Sequence, residues 1–356
     1  MTRPRLIELN AWINASGDAE DSWLLPGRDP GRIFTLAHYV EAARIAHRGV
    51  FGNVFTSDRP QLVIDAHTRP EHTLDPVALF SALLAQVPDI GAIVTASTTY
   101  SDPYTLARQI QSLNLLSGGR AAWNVVTSWN PAIAANFSDQ ALPDRAARYA
   151  RAEEFIEVVL KLWDSWQFPW GAPASELVVP GRVRPIDHRG THFSVAGPLN
   201  VPQAPGGRPR LLQAGGSPAG IRLAARFADD VYAPPGSLAG ARALRQELHA
   251  AARALGRPED RLPRLIPVLV PILCASEAEA AALRQAHAEA APVTEAELDA
   301  LAALLGVERA RTAADRPLRP EDFGDVSASV VPIGAIRAKR ALALDEGLSL
   351  SGLVRR

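Results

Sequence analysis

The stretch "LLQAGGSPAGIRLAARFADD", residues 211–230, joins a short apolar run to a helical pattern and shows the unit from which the chain is built. Leu211 and Leu212 lead into two glycines. Ser217 then stands at a helix N-cap position, with Pro218 as the first helical residue. Beyond Pro218 the apolar residues recur with the helical period. The stretch therefore predicts a strand, a tight turn and a helix.

The same order of strand and helix recurs seven times along the chain. Asp-Pro pairs at residues 75–76 and 102–103 mark two of the helix starts, because aspartate caps a helix and proline fits its first position. Strict alternation implies parallel strands with right-handed crossovers. A doubly wound sheet usually holds about five or six strands, so seven units favour an eight-stranded (β/α) barrel.

Residues 168–207 break the alternation. They are rich in glycine and proline and contain one short alternating piece, "GTHFSV". We interpret them as an excursion after the fourth unit, with a small hairpin, inside a single barrel domain of residues 1–356. Because the loops after the strands build the active site of a barrel, we expect the excursion to lie over that site.

The bulk composition excludes several classes of protein. A net charge of -1 argues against a nucleic-acid binder. No apolar stretch approaches the roughly 18 residues of a membrane span, and the N-terminus lacks the apolar core of a signal peptide. The single cysteine, Cys274, allows no internal disulfide, so the cytoplasm is the default compartment. We predict that Cys274 is a small buried hydrophobe.

Polar or glycine residues end five consecutive predicted strands, at the edge where a barrel carries its active site. These residues are Asn14, Ser57, Asp58, Thr95, Ser97, Asn124, Thr127, Ser128, Gly215, Gly216 and Ser217. A polar turn explains any one position equally well. Five consecutive strands with the same feature favour a binding site.

The glycine corner at residues 215–217 resembles an anion site. Glycines allow close backbone approach, and the free N–H groups of a helix start attract a negative charge. A tight turn that merely needs glycine is an equal alternative. Arg145 and Tyr149, one turn apart on the preceding long helix, favour a phosphate, although they are also compatible with a solvated arginine and a packed tyrosine.

Four longer motifs carry a resemblance to a known family. "SGGRAAWNVVTS" spans residues 117–128, and "VTASTTYSDPY" spans residues 94–104. Residues 148–166 and 188–220 match two further ordered patterns of that family. Over roughly its whole length the chain resembles nitrilotriacetate monooxygenase component A and dibenzothiophene-sulfone monooxygenase, within the bacterial-luciferase-like superfamily.

The resemblance implies a luciferase-like (β/α)8 TIM barrel and a two-component monooxygenase. Reduced FMN is the cosubstrate, supplied by a separate NAD(P)H:flavin reductase, and O2 is the oxidant. The cofactor carries the chemistry while the protein binds and orients it. Such enzymes oxygenate a small organic substrate, in some cases breaking a C–N or C–S bond, and a homo-dimer or tetramer is expected.

The resemblance also implies cofactor-binding residues by position. Those near the flavin ring are Asp58, Thr95, Ser97 and Asn124. Those at the phosphate are Arg145, Tyr149, Gly216 and Ser217. The family usually has histidine at the position of Arg145, and arginine keeps the ability to bind phosphate.

No catalytic residue is assigned. The loop that carries histidines in many family members has none here, and His67 and His72 do not fill that position. We interpret His188 and His192 as surface histidines of the excursion. No metal site is expected.

The last residues, "ALALDEGLSLSGLVRR", resemble the helix and turn that precede the eighth strand in the family. We therefore expect the last unit of the barrel to be missing. That expectation leaves room for a degenerate, non-catalytic barrel that binds flavin. A deazaflavin-dependent oxidoreductase is a further alternative, which the W-N-V-V-T-S motif disfavours. "GGSPAG" does not match a nicotinamide fingerprint.

Overall fold

The computed structural model describes residues 7–13, 29–62, 74–138, 141–173, 176, 181–233, 237–269, 271, 273–290, 293–327, 329, 331 and 333–354. The chain divides into two compact units, Met1–Leu212 and Gln213–Arg356. Strand β7, Arg210–Ala214, contains the border between them.

The first unit contains a parallel sheet whose strands follow in chain order. They are β1 (Asn10–Trp12), β2 (Asn53–Phe55), β3 (Gly91–Ser97) and β4 (Ala121–Val126). Its helices are α1 (Leu36–Arg48), α2 (Pro76–Leu84), α3 (Pro103–Leu116), α4 (Pro131–Ala134) and α5 (Arg145–Asp164). A short antiparallel hairpin follows, made of β5 (His188–Arg189) and β6 (Ser194–Val195).

Aspartates cap three of the helices of this unit, α2, α3 and α5. The side chain of Asp75 accepts a hydrogen bond from the backbone of Ala78 at 2.8 Å. Asp102 caps α3 in the same way, with proline at the first helical position in both cases. Asp144 caps α5 by accepting from the backbone of Ala147 at 2.8 Å. The predicted starts of α2 and α3 are thus confirmed.

Three large aromatic side chains fix α5 against the sheet. Trp123 of β4 packs on Phe155, with ring centroids 5.9 Å apart, and edge-on against Trp163, at 6.3 Å. The indole of Trp123 donates to the carbonyl of Ala96 on the neighbouring strand at 3.1 Å. All seven residues of β3 are buried. Burial of rings with satisfied N–H groups makes β3 and β4 a rigid platform.

The second unit continues the alternation. Its elements are α6 (Pro218–Phe227), β8 (Asp230–Ala233), α7 (Leu238–Ala254), β9 (Arg264–Pro267), α8 (Glu277–Ala290), α9 (Glu295–Leu305), α10 (Ile333–Glu346) and α11 (Leu350–Val354). Strands β8 and β9 pair in parallel. One apolar cluster joins α6, β8 and α7, and another joins α9, α10 and α11.

The apolar run after residue 264 is largely exposed beyond β9. Strand β9 ends at Pro267, and Leu269 and Leu273 are exposed. Prolines at 267 and 271 cannot donate to a strand ladder, which explains the early end. Cys274 is partly exposed, so the prediction that it is buried is wrong.

No helix in the described part of the chain is both long enough and apolar enough to cross a membrane.

Candidate functional site

Two predicted ring-contacting residues, Thr95 and Asn124, lie directly opposite each other on β3 and β4. Both are buried, with 3% and 6% of their surfaces exposed. The Thr95 hydroxyl donates to the backbone carbonyl of Thr56 at 2.6 Å, and the Asn124 side-chain amide donates to Thr95 Oγ1 at 3.0 Å. The first unit thus brings these two residues into one hydrogen-bonded chain.

The carbonyl oxygen of the Asn124 side chain takes no part in these hydrogen bonds. Asn124 Oδ1 is buried and has no hydrogen-bond partner among the residues that the structure describes. A buried acceptor without a donor costs about 1–3 kcal/mol, so folded proteins rarely retain one without a reason. A ligand with an N–H or O–H group would satisfy it.

Ser97 lies at the end of β3 and is also buried. Its hydroxyl is 2.7 Å from the hydroxyl of Ser128 and accepts from the backbone of Thr99 at 3.1 Å. Ser128 has a φ of 40°, which L-residues rarely adopt. Since strained backbone clusters at functional sites, Ser128 marks the same sheet edge as a candidate site.

Asp58 follows β2 two residues after Thr56 and is half-buried. Asn14, predicted to end the first strand, lies outside the described residues, as do His67 and His72.

The first turn of α5 concentrates positive charge. Burial lowers the pKa of Arg148, and the neighbouring Arg145 lowers it further, while Tyr149 and Asp144 act in the opposite sense. Arg148 Nε is buried without a hydrogen-bond partner in the described part of the chain. Two close arginines at a helix N-terminus favour an anion. Sequence reasoning found Arg145 and Tyr149 but missed Arg148.

Tyr100 adds a hydroxyl to this turn. Its ring stacks on Phe137, with centroids 4.3 Å apart and planes 7° from parallel. Burial raises the pKa of Tyr100 and the charge of Arg148 lowers it. The hydroxyl is buried and unpaired among the described residues. The sequence signals for Tyr100 and Arg148 were their places in the "TTYSDPY" and "RYARAEEF" motifs.

The glycine corner belongs to the second unit. Ser217 accepts from the backbone of Gly220 at 3.1 Å, which confirms it as the N-cap of α6. The carbonyl of Gly216 accepts from Arg337 at 2.8 Å. A Cβ on Gly334 would lie 2.5 Å from the nitrogen of Gly216. The sequence predicts that a ligand comes close to the backbone of Gly216. In the structure, the backbone of Gly334 occupies a position close to Gly216.

Gln213, before the corner, was also missed. It is 4% exposed, and its side-chain amide donates to the carbonyl of Ala214 at 2.7 Å. Its Oε1 is buried without a partner in the described segments. A glutamine inside the apolar strand "RLLQAG" was the available signal.

The described part of the excursion is held against α3 and α5. Gln111 donates to the carbonyl of Pro202 at 2.8 Å, and the hydroxyl of Ser165 accepts from the backbone of Leu199 at 2.9 Å. Glu154 of α5 accepts from the backbone of Phe193 at 2.9 Å. These hydrogen bonds anchor the excursion on helices, and they do not involve the strand ends.

His188 is part of this anchor. Its Nε2 lies 3.1 Å from Glu154, its Nδ1 lies 3.1 Å from Lys161, and its side chain is 7% exposed. Burial alone would raise the pKa of Glu154, but hydrogen bonds from His188 and the hairpin backbone outweigh it and lower that pKa. The interpretation of His188 as a surface residue is wrong, whereas His192 is exposed as predicted.

Among the described residues, no group of three or more histidine, cysteine, aspartate or glutamate side chains could hold a metal ion.

Comparison with known proteins settles the family. The family model described as "Luciferase-like monooxygenase" matches residues 17–333. The chain belongs to the luciferase-like monooxygenase family. This confirms the resemblance read from the four motifs.

Individual members of the luciferase-like family match over most of the chain. Nitrilotriacetate monooxygenase component A of Aminobacter aminovorans is 36% identical over 91% of this chain and 74% of its own length. N-acetyl-S-(2-succino)cysteine monooxygenase of Bacillus subtilis (strain 168) is 35% identical over 79% of this chain. The match spans only 64% of the length of that relative.

A solved luciferase-like structure supports the fold. EDTA monooxygenase from Chelativorans sp. BNC1 superposes with a TM-score of 0.81 and 46% sequence identity, covering 98% of this chain and 82% of its own. The TIM-barrel type of the luciferase-like fold is therefore confirmed. The predicted role of the excursion and the missing last unit stay predictions.

Proposed function

We propose that this chain is the oxygenating component of a two-component monooxygenase. It uses reduced FMN from an NAD(P)H:flavin reductase, together with O2, to oxygenate a small organic substrate. Membership of the luciferase-like family and the names of its relatives support this proposal. The single observation that carries it is the buried Asn124 Oδ1 on β4, which has no hydrogen-bond partner among the described residues.

The residues of the first unit fit a flavin ring. Isoalloxazine is a flat group with N–H donors, and Asn124 offers a buried acceptor that needs one. Thr95 and Ser97 line the same strand end, and Asp58 follows the adjacent strand. These four residues are the proposed ring contacts.

The phosphate requires positive charge and N–H donors. Arg145, Arg148 and Tyr149 lie at the start of α5, and burial and Arg145 both lower the pKa of Arg148. Within the first unit these three residues are the proposed phosphate contacts, Arg148 being an addition to the set that the sequence predicts. Gly216 and Ser217, at a helix start of the second unit, stay the phosphate contacts that the family resemblance implies.

When held by these residues, reduced FMN would supply the electrons that activate O2, from which the substrate would receive one oxygen atom. The chain's own part is to bind the ring, orient it and exclude water, for which the rigid β3–β4 platform is suited. The names of the relatives mention nitrilotriacetate, EDTA and N-acetyl-S-(2-succino)cysteine. Those compounds contain C–N and C–S bonds, which supports cleavage of such a bond here.

The proposal also covers the domain organisation, the cellular location and the assembly of the protein. The chain works as one barrel domain with the excursion at 168–207, in the cytoplasm and as a homo-dimer or tetramer. The reductase is its functional partner.

The test is an anaerobic titration of the purified chain with reduced FMN, followed by tryptophan fluorescence. Riboflavin, which lacks the phosphate, is titrated in parallel. We expect Tyr149→Phe and Ser217→Ala each to weaken FMN binding about tenfold, because each variant loses one charge-assisted hydrogen bond to the phosphate. Riboflavin binding should stay unchanged.

Tyr104→Phe is the matched control, because the Tyr104 hydroxyl makes one long hydrogen bond within the described residues, to the carbonyl of Pro198 at 3.5 Å. A folded chain that binds neither FMN nor riboflavin would contradict the proposal. Binding without substrate-dependent oxygenation, in the presence of reductase, NAD(P)H and O2, would favour a non-catalytic flavin binder.

A further inference from the structure

Two residues of α10 contact the glycine corner at one residue, Gly216. Arg337 Nη1 donates a hydrogen bond to the carbonyl oxygen of Gly216 at 2.8 Å. One turn earlier, Gly334 lies so close that a Cβ on it would be 2.5 Å from the nitrogen of Gly216. Residues three apart on a helix lie on the same face, so one face of α10 supports the backbone of Gly216 at both its nitrogen and its carbonyl.

A second hydrogen bond holds the guanidinium of Arg337 in place. Its Nη2 donates to Oε2 of Glu247 on α7 at 2.8 Å, and both side chains are about half-exposed. An exposed ion pair of this kind adds little to the stability of a protein. Because the N–H groups of a guanidinium lie in one rigid plane, however, the bond to Glu247 fixes the direction of the bond to Gly216. The pair therefore orients one backbone carbonyl.

The glycine corner depends on such outside contacts for its shape. Gly215 and Gly216 have no side chain to restrict or anchor their backbone. The peptide group that joins Gly216 to Ser217 is planar and trans, so the carbonyl oxygen of Gly216 and the N–H of Ser217 point in opposite directions. A donor held on that carbonyl thus also sets the direction of the Ser217 N–H. Arg337 supplies this donor.

An independent observation indicates a ligand near the corner. Gln213, two residues before Gly215, is 4% exposed, and its side-chain amide donates to the backbone carbonyl of Ala214 at 2.7 Å. Because a backbone carbonyl only accepts, this bond identifies the Nε2 atom and leaves Oε1 as the remaining polar atom. Oε1 is buried and has no partner in the described segments. A buried acceptor of this kind indicates a ligand group that bonds to it.

We propose that Arg337 is a positioning residue for the phosphate of FMN. Together with Glu247 it fixes the backbone at Gly216 and Ser217 before the ligand arrives, so that binding does not have to order a flexible glycine turn. Arg337 acts through this backbone and does not itself contact the phosphate. The inference rests on the proposed function, in which Gly216 and Ser217 contact the phosphate.

The two partners of the ion pair separate this role from simple attraction between charges. The positive charge of Arg337 attracts a phosphate and the negative charge of Glu247 repels it. If charge alone matters, Glu247→Ala tightens FMN binding and Arg337→Lys leaves it unchanged. If Arg337 positions the backbone, Glu247→Ala weakens FMN binding. Lysine then does not replace arginine, because an ammonium group lacks the rigid fork that holds both partners.

The experiment measures the Kd of reduced FMN and of reduced riboflavin for the purified full chain, anaerobically and by tryptophan fluorescence. The ratio of the two Kd values reports the contribution of the phosphate. We expect the wild-type chain to bind FMN more tightly than riboflavin. This preference should fall about tenfold in Arg337→Met, and at least about threefold in Arg337→Lys and in Glu247→Ala. Riboflavin affinity should stay unchanged in all three variants.

Arg253 and Glu259 form a matched control pair in the same unit. Arg253, on the same helix as Glu247, donates to both carboxylate oxygens of Glu259 at 2.6 and 3.0 Å. Among the described residues, no hydrogen bond joins this pair to the glycine corner. Arg253→Lys and Glu259→Ala make the same changes of charge and side chain, and the preference for FMN should stay at the wild-type value. Urea denaturation checks that each variant is folded.

A wild-type preference for FMN in folded Arg337→Met or Arg337→Lys would overturn the inference, as would tighter FMN binding in Glu247→Ala, and the proposed flavin site would stand. Equal affinity of the wild-type chain for FMN and riboflavin would remove the phosphate contacts at the corner and the inference with them, without reference to any variant. A folded wild-type chain that binds neither ligand would remove the proposed function as well.

Discussion

The candidate site of the first unit and the glycine corner of the second unit both contain buried polar groups. They differ in how many of these groups have a hydrogen-bond partner among the described residues. In the first unit, Asn124 Oδ1 of β4, Tyr100 Oη after β3 and Arg148 Nε of α5 are buried and unpaired within the described chain. At the corner, Ser217 is bonded to Gly220, and the carbonyl of Gly216 is bonded to Arg337, while the one unpaired atom nearby within the described chain is Gln213 Oε1.

The difference shows which sequence features identify a ligand site. Glycines allow close approach, but in the corner the approaching group is the backbone of Gly334. An unpaired buried polar atom is more informative, because its cost of about 1–3 kcal/mol is not recovered inside the described protein. The first unit is therefore the stronger part of the proposed flavin site.

The largest expected effect is a loss of stability when Gly334, which packs against the glycine corner, is replaced. In Gly334→Ala the new Cβ would lie 2.5 Å from the nitrogen and 2.9 Å from the Cα of Gly216. The free energy of unfolding should fall by about 1–3 kcal/mol in urea denaturation. Without the clash, alanine in α10 would instead raise it by up to about 1 kcal/mol.

Gly206→Ala is the control for this variant, because a Cβ there meets no atom within 4 Å. A rise in stability for Gly334→Ala would mean that the two glycines are not in contact.

Arg148→Met separates the phosphate from the ring. Arg148 Nε is unpaired among the described residues, its Nη1 donates to the carbonyl of Pro143, and both burial and Arg145 disfavour its charge, so its loss should cost the ligand-free protein about 1 kcal/mol. FMN affinity should fall about tenfold and riboflavin affinity should stay the same. Fluorescence titration measures both, with the exposed Arg108→Met as control. An equal loss for both ligands would place Arg148 away from the phosphate.

The smallest expected effect compares two helix caps. Ser217 accepts from Gly220 at 3.1 Å, and Ser237 accepts from Gly240 at 3.0 Å and also donates to Asp345. Ser217→Ala should lower the free energy of unfolding by about 1 kcal/mol, and Ser237→Ala should lower it by at least as much. Only Ser217→Ala should also weaken FMN binding. If the two variants bind FMN equally well, Ser217 serves as a cap alone.

The sequence predicted most of the local structure, because helix starts and strand periods depend on neighbouring residues. Asp75, Asp102 and Ser217 cap helices where their spacing to proline predicts it. Strand β9 ends at Pro267, and proline is itself a local sequence signal for such an end.

The site could be predicted less fully, because its decisive contacts join residues far apart in the chain. The unpaired oxygen of Asn124 depends on Thr95 and Thr56. The contact of Gly216 with Gly334 spans more than a hundred residues, as its atoms meet only in the folded second unit. A sequence motif identifies such residues, but it does not show which of their atoms already have a hydrogen-bond partner.

The most direct test of the account is the Kd of reduced FMN for Asn124→Val, measured together with the free energy of unfolding. The variant removes the unpaired Oδ1 and leaves the hydrogen bond from Thr95 to Thr56 in place. The account predicts unchanged or higher stability without ligand and at least about tenfold weaker binding of reduced FMN. Wild-type affinity in the folded variant would contradict the claim that this acceptor marks the flavin site.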